Sequence, residues 1–252
     1  MEGSVTVEGL QIPYLLNLPS SAQKVPLIVM PHGGPIGIFD SPYYDQLTQF
    51  FVAQGYGVLR VNFRGSSGRS QALRDAGKKQ WGKLMLTDIY TATLAATARD
   101  DIDNKRVCLF GISYGGYATS MLLINHPDTY KCGVAVAGVY DLNLHLQSAH
   151  FGEKDYQWFT ENVGDYEREY DELKQLSPVF NAAKLQKPLL LVHGSRDEVV
   201  DLEHASRFKY TLDQTSKPAE LVTVDGLGHS FASTNDAVKV LTPSLDFLKK
   251  NL

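Results

Sequence analysis

Val107-Cys108-Leu109-Phe110-Gly111-Ile112-Ser113-Tyr114-Gly115-Gly116-Tyr117 carries an apolar run straight into a G-x-S-x-G turn. The order predicts a buried strand, a sharp turn and then a helix over Tyr117 to Asn125. Such a turn holds its serine in a strained backbone conformation, and the residues two positions either side must lack bulk. Pro127 after His126 closes the helix where the residue before a proline disfavours helical backbone. The five-residue pattern alone is common; the strand before it and the helix after it give it meaning.

Outward from this turn the chain alternates in the same way. Strands are expected at Ser4 to Val7, Ile12 to Leu16, Leu27 to Met30, Val58 to Asn62, Cys132 to Ala137, Leu189 to His193 and Ala219 to Val224, besides Val107 to Phe110. Helices are expected at Tyr43 to Gln54, Leu84 to Ala98, Leu202 to Thr215 and Asn235 to Asn251. Near-continuous apolar strands belong to a parallel sheet covered on both faces, and regular alternation with helices gives a doubly wound α/β fold. The pattern breaks at residues 144–180, aromatic and charged, which read as a mostly helical insertion over the strand ends. A single domain over 1–252 is expected, with no linker or repeat.

Composition narrows the partners. The chain has 252 residues, 43% hydrophobic and 21% charged, which is ordinary globular composition. A net charge of −4 gives no basic footprint for nucleic acid or an anionic membrane. The apolar runs are too short to span a bilayer. Met1-Glu2-Gly3-Ser4 shows no secretory signal, so a cytoplasmic location is expected. Cys108 and Cys132, both in strand-like runs, read as buried free thiols, and with no Cys/His cluster no metal or cofactor is expected. A homo-oligomer is left open.

In an open α/β sheet, ligands sit beyond the carboxyl ends of the strands. Polar residues just after strands are His32 to Pro35, Asn62 to Ser66, Ser113, His193 to Asp197 and Gly228 to Ser230. A serine needs a positioned base to attack at neutral pH, usually a histidine oriented by a carboxylate. Ser113, Asp197 and His229 occur in the chain order of α/β-hydrolases, each after a strand. Glu198 and Asp201 stand close enough in sequence to compete with Asp197. The backbone N–H groups of Tyr114 and Gly34 are the candidate oxyanion donors. His32 reads as holding its Gly-Gly-Pro turn, His193 as capping a strand end, and Arg64 as an ion-pair partner that fixes its loop. His126, His145, His150 and His204 read as solvated or locally packed. Tyr140, Trp158 and Phe159 are the candidate substrate-pocket residues, with Phe151 and Tyr156 in the same aromatic group.

At these residues the chain resembles the prolyl oligopeptidase family of serine hydrolases, particularly its acylaminoacyl-peptidase-like branch. The matching segments are His32-Gly33-Gly34-Pro35, Asn62-Phe63-Arg64-Gly65-Ser66, Trp81-Gly82, Gly111 to Tyr117, His193-Gly194-x-x-Asp197 and Gly228-His229. The resemblance implies an α/β-hydrolase catalytic domain with Ser113 as nucleophile, Asp197 as orienting acid, His229 as base, and Gly34 and Tyr114 at the oxyanion hole. It implies small peptides or acyl-peptides as substrates, cleaved through an acyl-enzyme, with an ester substrate belonging to a rival reading. His32 stands where some relatives carry a tyrosine that assists the oxyanion. Family members usually carry a β-propeller before this domain, and the chain reads as a catalytic domain without one. The rival readings are a carboxylesterase for short acyl esters and a non-catalytic hydrolase-fold binding protein; the intact Ser, Asp and His argue against the latter.

Overall fold

The computed structural model describes residues 1–20, 23–148 and 150–252. Among the described residues eight strands form one sheet: β1 (Glu2–Val7), β2 (Leu10–Asn17), β3 (Val25–Val29), β4 (Gly57–Val61), β5 (Ile102–Ile112), β6 (Cys132–Val136), β7 (Leu189–Gly194) and β8 (Ala219–Val224). Their order is β1-β2-β4-β3-β5-β6-β7-β8. β1 and β2 are antiparallel to their neighbours, and every pairing from β4 to β8 is parallel. The helices are α1 (Gln46–Ala53), α2 (Gln71–Asp75), α3 (Leu84–Thr97), α4 (Tyr114–Asn125), α5 (Leu142–Leu146), α6 (Glu153–Asn162), α7 (Tyr170–Gln175), α8 (Leu202–Gln214) and α9 (Thr234–Asn251), with a 3₁₀ turn at Pro178–Lys184. This is the α/β-hydrolase architecture.

Because side chains alternate along a strand, each central strand feeds two cores. Val107 and Leu109 of β5 join Ile89 of α3, Leu122 of α4 and Phe208 of α8 on one face. Cys108 and Phe110 join Phe51 of α1 and Phe247 of α9 on the other. Between β6 and β7 the insertion is a set of short helices, α5 to α7, which packs on the first face through Leu142, Phe159 and Leu173. Residue 149 of the expected insertion lies outside the described residues. β3 sits between β4 and β5, so successive crossovers leave in opposite directions and open a crevice at the carboxyl ends of β3 and β5.

Two helix starts differ from expectation for a local reason each. α1 begins at Gln46 because the Asp45 side chain accepts from the Thr48 amide and caps it, leaving Tyr43 and Tyr44 exposed in the preceding loop. α4 begins three residues early, at Tyr114, and is buried on all sides from Tyr114 to Ile124. Its first turn contains Gly115 and Gly116, which tertiary packing keeps helical against their propensity.

The free-thiol expectation is overturned: Cys108 and Cys132 form a disulfide. β5 and β6 pair in parallel with Cys108 opposite Cys132, Cα atoms 4.8 Å apart and both side chains on the same face. Pairing across strands is invisible to residue spacing alone. Among the described residues no helix is long and apolar enough to cross a membrane. Thiol titration of the denatured, unreduced protein is expected to find no free sulfhydryl, and two after reduction; two before reduction would refute the pairing.

Candidate active site

Ser113 occupies the turn between β5 and α4 with φ 61° and ψ −122°, a conformation that a non-glycine residue holds only when its surroundings enforce it. The enforcement is steric. A β-carbon at Gly111 would overlap the carbonyl oxygen of Gly115, and one at Gly115 would overlap the carbonyl oxygen of Pro31. The strand end, the helix start and the loop after β3 are therefore in backbone contact, and the Ser113 amide donates to Val136 at 2.9 Å to fix the turn against β6. The Tyr114 ring is buried against Phe63, Trp81 and Tyr117, its hydroxyl directed at Met85 Sδ. What Tyr114 offers the crevice is its amide, among the first-turn donors that lack an intrahelical partner.

Asp197 follows β7 and His229 follows β8. His229 Nδ1 lies 2.8 Å from Asp197 Oδ2 and 3.0 Å from Oδ1, so the ring donates to the carboxylate from Nδ1 and leaves Nε2 as the acceptor. Oδ1 also accepts from the amides of Val199 at 3.0 Å and Val200 at 2.9 Å. Burial alone raises the Asp197 pKa, but the hydrogen bonds from His229 and from these amides outweigh it and hold the carboxyl below its ordinary value. Of the neighbouring carboxylates, Asp201 is paired instead with His150 at 3.1 Å. Ser113 and His229 line one cavity. Among the described residues no hydrogen bond joins their side chains, and a bond of this kind tightens in the complex with substrate.

The loop after β3 is held from behind. His32 stacks on Phe63 at 4.3 Å; its Nε2 lies 2.9 Å from Ser66 Oγ and its Nδ1 2.8 Å from the Gly33 carbonyl oxygen. The loop carrying Phe63 and Ser66 is in turn anchored by Arg64, whose guanidinium and amide donate three hydrogen bonds to Asp88 of α3 at 2.8–2.9 Å. Both partners are buried. Arg64 thus does fix its loop. The role of Asp88 was missed because it sits within a helical apolar pattern, where a lone carboxylate was the available signal.

Behind the acid lie three buried histidines. His193 Nε2 donates to the Val200 carbonyl at 2.7 Å, and His204 Nδ1 accepts from the amides of Tyr140 and Asp141 at 3.2 and 3.3 Å. His145 packs against Phe151, Phe159 and His204. Of the two expectations, solvated or locally packed, burial selects local packing for His145 and His204. Burial, with a smaller push from His229, lowers the His145 pKa to about 4. His126 stacks on Tyr90 well away from this group.

The cavity at Ser113, about 610 Å³, is lined by Gly33, Gly34, Ile38, Ile112, Ser113, Val199, His229, Ser230 and Phe231. None of the aromatic residues expected to line the pocket is among them. Tyr140 is fully buried against Phe208, its hydroxyl turned back to the Ala135 carbonyl, because the chain after β6 dives into the core. Phe159 is buried within the insertion, and Trp158 borders a separate surface depression with Ile36, Arg74 and Glu161. The lining residues missed from sequence, Ile38, Val199 and Phe231, are apolar side chains in loops, a signal that periodicity does not register.

Residues 42–252 match the prolyl oligopeptidase family. Among curated relatives, dipeptidyl aminopeptidase BIII of Pseudoxanthomonas mexicana is 31% identical over 241 residues, covering 90% of this chain and 35% of that protein. The human acylamino-acid-releasing enzyme is 26% identical over 237 residues, 91% of this chain and 32% of that one. Among solved structures, a Mycobacterium tuberculosis puromycin-hydrolysing peptidase superposes with a TM-score of 0.91 at 25% identity, covering 100% of this chain and 39% of that one. An acylaminoacyl peptidase in complex with Z-Gly-Gly-Phe-chloromethyl ketone gives 0.91 at 25% identity, covering 100% and 41%. The chain spans roughly a third of the length of these curated relatives.

Two stability measurements check the site's supports. Asp88→Asn leaves the Arg64 charge buried without its partner and is expected to cost about 3–5 kcal/mol in urea unfolding. Acid sensitivity has a defined sign. With its folded pKa near 4 against an ordinary 6.5, His145 takes up a proton in the unfolded chain first. Its contribution is therefore full above about pH 6.5 and is lost as pH falls toward 4, by up to about 1.4 kcal/mol per pH unit. His145→Leu is expected to flatten the fall in unfolding midpoint between pH 7 and 5; an unchanged slope would refute this.

Proposed function

This chain belongs to the prolyl oligopeptidase family, and from that premise we propose that it is a serine peptidase that cleaves peptide or acyl-peptide bonds through an acyl-enzyme on Ser113. The observation that carries the reading is the 2.8 Å hydrogen bond from His229 Nδ1 to Asp197, on a histidine that lines the same cavity as Ser113. His229 Nε2 takes the Ser113 proton as Oγ attacks the carbonyl carbon. The amides of Tyr114 and Gly34 receive the negative oxygen, in a site where such donors need no reorganisation. The imidazolium, steadied by ionised Asp197, gives its proton to the departing nitrogen as the C–N bond breaks. Water then attacks the ester, its proton passing to His229 and on to Ser113 Oγ as the acid leaves.

The roles rank in a testable way. Ser113→Ala is expected to abolish turnover and covalent labelling by a fluorophosphonate, whereas Asp197→Asn, which presents the wrong histidine tautomer, lowers kcat by about 10³–10⁴-fold with labelling slowed. Absence of label on Ser113 in the folded protein would overturn the enzyme reading. An N-acetylated amino-acid anilide and a nitrophenyl ester are both expected to be hydrolysed. Turnover of the ester alone would overturn the peptidase reading in favour of a carboxylesterase.

A further inference from the structure

The cavity that Ser113 lines also has His229 in its wall, and this decides which part of a substrate would enter it. At a carbonyl carbon attacked by Ser113, the oxygen turns toward the Tyr114 and Gly34 amides. The departing atom must face His229, which protonates it, and the acyl chain takes the remaining direction. His229 and its neighbours Ser230 and Phe231 form part of the cavity wall, together with the Gly33-Gly34 loop. A group departing toward His229 therefore meets this cavity. Ile112 and Phe231 pack with the core under α1 and α9, whereas Phe151 and Phe159 of the insertion pack with the opposite core. The cavity and the insertion are thus on opposite sides of the sheet's end.

We propose that this cavity is a leaving-group pocket that selects substrates with an apolar residue immediately after the scissile bond. Ile38, Ile112, Val199 and Phe231 supply its wall, and among the described residues His229 is the one ionisable side chain that lines it. At about 610 Å³ it holds a large side chain, within the range of small-molecule sites. A charged side chain there loses hydration with no partner, whereas an apolar one gains by burial. The inference rests on the acyl-enzyme reading above and adds the substrate class on the leaving side.

By microscopic reversibility, the pocket that releases an amine also receives one. An N-acetyl amino-acid nitrophenyl ester loads Ser113, and an added amine competes with water for the acyl group. The amine nitrogen attacks the acyl carbon, and its proton passes to His229 and then to Ser113 Oγ as the ester C–O bond breaks. At equal free-amine concentration, leucinamide is expected to trap about tenfold more acyl-enzyme than glycinamide, and glutamic acid α-amide less than glycinamide. Ile38→Asp and Phe231→Ala are each expected to bring the leucinamide-to-glycinamide ratio toward one; Ile38 is half exposed, so its replacement spares the fold. Equal trapping by the unmodified protein, or a ratio unchanged in both variants, overturns the pocket while the acyl-enzyme stands. An ester left intact with Ser113 unlabelled overturns both.

Discussion

The backbone contact between Gly115 and the Pro31 carbonyl is the constraint around which the active end of this molecule is built. It requires glycine on the helix side of the turn, and the overlap that a Gly111 side chain would make with Gly115 requires glycine on the strand side. Once both are met, β5 can turn into α4 within two residues and hold Ser113 at positive φ. The same contact brings the loop after β3 against the first turn of α4. On the proposed mechanism, nucleophile and oxyanion donors then come from two segments, some eighty residues apart in sequence, whose spacing is set by main-chain atoms rather than by flexible side chains. Precision of this kind is what electrostatic stabilisation of a developing charge demands.

Around this contact the polar groups are arranged in a hierarchy of burial. Asp88 and Arg64 form a buried bidentate pair, the arrangement in which desolvation is best offset by geometry. Their hold on the β4 loop passes through Phe63 and Ser66 to His32 and so to Gly33. On the acid side burial lowers the pKa of His145, His193 and His204 and keeps them uncharged. His193 Nε2 stands 3.5 Å from Asp197 Oδ2, and being uncharged it leaves the carboxylate's charge to His229. The loop after β3 is thus steadied through a buried ion pair, and His229 through one carboxylate among uncharged histidines.

What was legible in the sequence follows the same division. The parallel sheet, its strand sequence and the Ser, Asp and His loops could be read because each depends on residues close together in the chain. The Gly-rich elbow was readable for the same reason. Tyr140 was not, since its position after a strand says where the backbone ends and not which way the ring turns; here it closes the core with Phe208. The Cys108–Cys132 bridge depends on the register of two strands separated by a whole helix. The cavity wall escaped for a related reason. Ile38, Val199 and Phe231 belong to three loops, and only the folded sheet gathers them.

The turn after β7 shows why acid and pocket wall cannot vary independently. Asp197 Oδ1 accepts from the amides two and three residues ahead, so the turn templates itself on its own carboxylate. Val200, buried beneath it, returns its carbonyl to His193. Val199, between them, is the residue whose amide serves the acid while its side chain serves the cavity. A substitution at Val199 that keeps the backbone geometry alters the cavity and leaves the hydrogen bonds to Asp197 in place, because these come from the main chain. A change at Asp197 removes the template and moves the wall as well. In this fold the cavity wall is therefore free to change around a fixed Asp197, while Asp197 is not free to change around the wall.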